Sequence, residues 1–228
     1  MISKIGKIQK IANAQNVAPI ALNTSLPISL KVSEKIGFNR YILKFANRNL
    51  NTKSAKQLDI GANYWAEIES NNENILIKNM FKKPEILNFG ILPQGLNLIE
   101  RVIKENDLAL FCEHICDSLM NAKDKESFKI YTDMFLALQE KIVHIPFLYN
   151  EIYGIFQFKK GQKESAFYLA FSNFAPILFR LDEKGIVSIS TPFKKVANLL
   201  NYEFSCKIET CQISPLWDKS GKIIDIKG

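Results

Sequence analysis

Residues Ala166–Gln212 read AFYLAFSNFAPILFRLDEKGIVSISTPFKKVANLLNYEFSCKIETCQ, and the succession of apolar periods in this stretch decides the C-terminal half of the fold. Phe167, Leu169 and Phe171 alternate with Tyr168, Ala170 and Ser172, the period of a strand with one apolar face. Ile177, Phe179 and Leu181 repeat the pattern, and Asp182-Glu183-Lys184-Gly185 supplies turn chemistry ending in glycine. Val187 and Ile189 form the return strand. Thr191 can cap a helix with Pro192 at its first position, where a missing N–H costs nothing. Phe193, Val196, Ala197 and Leu200 share one face of that helix, and Phe204, Cys206 and Ile208 alternate again as a last strand. The expected unit is β-β-β-α-β, its helix packed on one face of a small sheet.

Leading into this unit are Ile145-Pro146-Phe147, then Leu148-Tyr149-Asn150-Glu151, then a strand with a basic end, Ile155 to Lys160. Over residues 142–213 this order resembles the C-terminal domain of the flagellar hook-length control protein family, in its short, divergent members. That family has an apolar strand ending in a Leu-Gly-x-Val corner, a charged turn, a strand and a leucine-rich helix. Here the corner reads Asn173-Phe174-Ala175-Pro176-Ile177 and lacks the glycine. The resemblance implies a non-enzymatic accessory of flagellar type III export that docks on the cytoplasmic part of the export gate. The long region by which larger members measure length is missing, so no ruler activity is expected. The implied partner-binding residues are Phe174, Ala175, Pro176 and Ile177, together with the adjoining helix. Pro176 interrupts strand pairing, which predicts an edge or bulge there.

With 228 residues, 47% apolar and 23% charged, the chain can bury substantial cores. No apolar run approaches the ~20 residues that span a bilayer. The N-terminal MISKIGKIQKIANAQ lacks a continuous hydrophobic segment, so a cytoplasmic location is expected. The formal charge of +7 divides unevenly: residues 1–88 carry +7, residues 89–150 carry −3, and residues 151–228 carry +3. Only four of the 30 basic residues are arginine (Arg40, Arg48, Arg101 and Arg180), whereas base-reading and bidentate phosphate contacts favour arginine.

In residues 1–27, Ile2, Ile5, Ile8 and Ile11 recur every third position with lysines between them. This arm is read as a docking helix, a membrane-surface or export segment, or a tail packed on its own domain; Asn13 to Pro27 is a polar linker. From residue 28 to 80 the period is two. Leu30 and Val32, Tyr41 and Phe45, Leu50 and Thr52, Tyr64 to Ile68, and Ile75 with Ile77 mark five strands. Turn signals about every ten residues predict a small SH3- or OB-like β-barrel. Its alternative role is nucleic-acid binding, through basic residues and aromatics such as Tyr41, Phe45, Tyr64 and Trp65. Tyr41 and Phe45 share the face that fills the barrel, which leaves Trp65 and Arg40 as the surface candidates.

Residues 81–144 form a helical section. Leu98, Ile99, Val102 and Ile103 line a first helix, and Leu108, Phe111, Cys112, Ile115 and Leu119 a second, capped by Asn106 or Asp107. A third runs from Lys125 to Val143 through Phe128, Tyr131, Phe135, Leu138 and Ile142. Residues 145–228 complete the chain. The whole is expected to be α+β: N-terminal barrel, central helical section and C-terminal α/β unit.

Cys112-Glu113-His114-Ile115-Cys116 is the one cluster of metal-ligand types. The cysteines share a helix face from which His114 points away, and Cys206 and Cys211 fall on opposite faces of a strand. No metal, cofactor or catalytic residue is assigned, since Cys–His hydrolase, Walker, G-x-G-x-x-G and G-x-S-x-G patterns are all missing.

Overall fold

Alternating apolar residues can bury one face of a strand only if neighbouring strands supply the same face, and the chain does this twice. The computed structural model describes residues 7–9, 26–45, 48–70, 74–85, 90, 92–105 and 108–219. The expectations for the rest of residues 1–27, and the cap at Asn106 or Asp107, lie outside the described residues. In chain order the strands are β1 (Lys7–Gln9), β2 (Ile28–Gly37), β3 (Arg40–Phe45), β4 (Arg48–Lys53), β5 (Asn63–Ser70) and β6 (Asn74–Lys82). Three helices follow: α1 (Gly95–Glu105), α2 (Leu108–Met120) and α3 (Lys125–Gln139). Then come β7 (Ile142–Tyr149), β8 (Ile152–Lys159), β9 (Ser165–Phe171), β10 (Phe174–Asp182), β11 (Gly185–Thr191), α4 (Lys194–Glu203) and β12 (Lys207–Thr210).

Two compact units result. One comprises Met1–Lys83, Asn173–Ala175 and Pro192–Leu200; the other comprises Pro84–Ser172, Pro176–Thr191 and Asn201–Gly228.

In the first unit β1 to β6 form a six-stranded sheet in the order β1-β6-β5-β2-β3-β4, antiparallel throughout. Leu30, Val32, Tyr41, Leu43, Tyr64, Ala66 and Ile77 pack into its core with Leu58 from the β4–β5 loop. That loop is tied down from both sides. Leu58 N donates to the Tyr41 hydroxyl (3.3 Å) and Asp59 N to the Tyr64 hydroxyl (3.1 Å). Gly61, at φ +83°, donates its N–H to Val32 O over 2.7 Å, a backbone geometry that favours glycine.

The expected small barrel is corrected. β1 and β4 are the two edges, and no ladder joins them among the described residues. Alternation and turn spacing specify which strands are antiparallel neighbours. Closure needs in addition a matched shear and tilt between first and last strands, which those signals do not encode.

In the second unit the sheet order is β12-β11-β10-β9-β8-β7. The β7–β8 hairpin turns on Asn150 and Glu151, both at positive φ (46° and 63°), as a two-residue turn matching the strand twist requires. Only β12 runs parallel to its neighbour, β11, because α4 supplies the crossover between them. Helices α1 to α3 cover the face carrying Val143, Ile145, Phe147 and Phe156, with Leu98, Val102, Phe111, Ile115, Ile130 and Met134 as their contribution. Each such side chain contributes roughly 1.5–3 kcal/mol on burial. Asp124 caps α3, its Oδ1 accepting from Ser127 N over 2.8 Å.

One further expectation is corrected. α3 ends at Gln139, not Val143: Lys141 takes a left-handed backbone (φ 60°) and the chain turns into β7. Ile142 continued the helical spacing by coincidence. Pro146 sits inside β7 opposite Ile155, tolerated because β7 is an edge strand. Pro192–Leu200, which include most of α4, group with the first unit. There Phe193, fully buried, meets Phe81 edge-on with ring centroids 5.1 Å apart.

Candidate interaction surface

The corner chosen from sequence is placed mostly inside. Ala175, Pro176 and Ile177 are buried and Phe174 is half-buried. β10 lies between β9 and β11, so the stretch is interior to the sheet, not at its edge. The ladder with β11 begins only at Leu178, so Pro176 withholds no donor on that side. Phe179 is a core residue, stacked on Phe167 at 4.1 Å and 16°.

The adjoining helix is a different matter. Val196, Ala197 and Leu200 turn inward on α4, leaving Leu199 (46% exposed) and Tyr202 (87% exposed) on the outward side, three residues apart on one face. In the charged turn between β10 and β11, Lys184 N donates to Asp182 Oδ1 over 2.7 Å.

The aromatic patch is not assembled. Trp65, expected at the surface, is 1% exposed, and Tyr41 and Tyr64 are buried with it. Lys83 Nζ lies 5.4 Å from the Trp65 ring centroid and donates to Ser29 Oγ over 2.6 Å; burial brings its pKa down to about 8. Arg40 is exposed at the start of β3.

The metal-ligand residue types do not converge either. Cys112 and Cys116 are half-buried on α2, and burial together with the neighbouring Cys116 thiol holds the Cys112 thiol above its usual pKa. Among the described residues no three His, Cys, Asp or Glu side chains come together as a metal site.

One buried polar arrangement went unread in the sequence. His144, Gln157 and Tyr168 stand in register across β7, β8 and β9, on the face turned away from α1 to α3. The segment after β12 returns over this row. Gln157, wholly buried, accepts from Leu216 N (2.8 Å) and Trp217 N (3.2 Å) at Oε1. Its Nε2 donates to Trp217 O (2.7 Å) and to His144 Nδ1 (3.2 Å), so the amide uses its full bonding capacity. The Trp217 ring packs on His144 at 5.1 Å. Burial lowers the His144 pKa to about 3 and keeps it neutral, while burial and the Asp218 carboxylate push the Tyr168 hydroxyl up. Lys219 then pairs with the buried Asp133 of α3. A lone Gln between Phe156 and Phe158 was the available signal, but its backbone partners lie about sixty residues on.

Compared with known proteins, the chain matches no family model, no curated protein and no solved structure.

Proposed function

We propose that this protein is a non-enzymatic accessory of flagellar type III export, binding the cytoplasmic part of the export gate through its C-terminal α/β elements. The observation that supports this reading best is the order over Ser165–Thr210: antiparallel β9, β10 and β11, then α4, then β12 parallel to β11. It is the order that the resemblance to the hook-length control family implies. Docking by shape requires an exposed apolar anchor on a rigid element, not reactive groups. Leu199 and Tyr202 on α4 meet that requirement. Ala175, Pro176 and Ile177 support β10 from within, and their role in the proposal is structural.

The test is retention of the full-length chain on an immobilised export-gate cytoplasmic domain. Tyr202→Ala is expected to weaken binding by about 1–2 kcal/mol, roughly tenfold, with an unchanged melting temperature because the side chain is solvent-facing. Absence of specific retention of the unmodified protein would sink the proposal.

A further inference from the structure

A cavity of about 530 Å³ opens in the second unit where the first turn of α2, the last turn of α3 and the β8–β9 loop meet. Its volume falls within the roughly 300–1,000 Å³ of small-molecule sites. Leu108, Cys112 and Leu138 give it an aliphatic wall, and Lys141 and Lys160 stand at its margin. No aspartate or glutamate lines it, and neither lysine enters an ion pair among the described residues. Two ammonium groups beside apolar surface, with no carboxylate among the described lining residues, make a site complementary to an anion that carries an apolar body.

The backbone beside each lysine is constrained. Lys141 N donates to Leu138 O over 2.8 Å where α3 ends in a left-handed turn. Lys160 follows β8 directly and precedes Gly161, where a Cβ would sit 1.8 Å from Glu164 O; only glycine allows the loop to fold back so tightly. The Cys112 thiol, its pKa raised by burial and by Cys116, stays neutral and adds to the apolar wall without opposing an anion.

We propose that this cavity binds a single-chain aliphatic carboxylate, its anionic head met by Lys141 and Lys160 and its chain laid along Leu108, Cys112 and Leu138. Lysine suits this role as a point charge where no bidentate geometry is imposed. The site is independent of the export-gate reading.

Octanoate and its neutral counterpart octan-1-ol, titrated into the full-length chain by calorimetry, test the assignment. Octanoate is expected to saturate at one equivalent and to bind about tenfold more tightly than octan-1-ol. Raising the salt from about 0.05 to 0.5 M should erode that preference, since the lysines are solvent-screened. Lys141→Gln with Lys160→Gln should weaken octanoate about tenfold while leaving octan-1-ol and the melting temperature unchanged. Cys112→Phe, which fills the cavity, should abolish both in a protein that still melts cooperatively. Non-saturable uptake, equal binding of acid and alcohol, or indifference to the double lysine substitution overturns the proposal.

Discussion

Gln157 shows how much one side chain can be asked to do. Its wholly buried amide satisfies three backbone groups of Leu216 and Trp217 and one ring nitrogen of His144. Replacing it by leucine keeps the volume and strands those partners, so Gln157→Leu is expected to cost about 2–3 kcal/mol, read as a lower urea midpoint at unchanged slope. His144 adds a pH dependence whose sign follows from its depressed pKa. The folded protein keeps the imidazole neutral down to about pH 3, whereas the unfolded chain takes up a proton below its ordinary value of 6.5. Its contribution is therefore complete above about 6.5 and is lost as the pH falls toward 3, by at most ~1.4 kcal/mol per pH unit. His144→Gln should flatten that part of a stability–pH profile; an unchanged slope between pH 6 and 4 would show that another group carries it. None of this could be read from residues 142–159, because a polar residue in a strand names no partner. The same holds for Trp65, whose place off the Tyr41 face was visible but whose cover by Lys83 was not.

At the scale of elements, periodicity was informative wherever the neighbour was close in sequence. The stripes of α1 and α2, the hairpins of the first sheet and the turn at Asp182–Gly185 are all local. The openness of the first sheet depends on its first and last strands, which local spacing does not record, and the end of α3 on a left-handed turn at Lys141, a non-glycine residue that gives no sequence signal for it. Gly95 is a case where the two levels oppose each other. Alanine would favour the first turn of α1 by about 1 kcal/mol. Its Cβ, however, would lie 2.4 Å from Pro146 O and 2.9 Å from Phe147 Cα, both backbone atoms of β7 that cannot swing aside. Overpacking of this kind costs about 1–3 kcal/mol, so Gly95→Ala is expected to be net destabilising. Thermal melting decides it, and a higher Tm would mean that α1 can move off β7.

For the molecule as a whole, what matters is that the first unit includes Asn173–Ala175 and Pro192–Leu200 besides Met1–Lys83. Residues 1–83 expressed alone would lack Phe193, Val196, Ala197 and Leu200, all buried in the complete chain. The fragment is expected to show no cooperative unfolding transition, whereas the full chain does; a sigmoidal melt of the fragment would refute this. The grouping also sets a schedule. A chain made at ~5–20 residues per second extends from Lys83 to Leu200 in roughly 6–23 s. Throughout that interval the N-terminal sheet waits on the ribosome without Phe193, the aromatic that abuts Phe81. Its strands are made well before the residues that complete their unit, so this stretch is where a holding chaperone would have work to do.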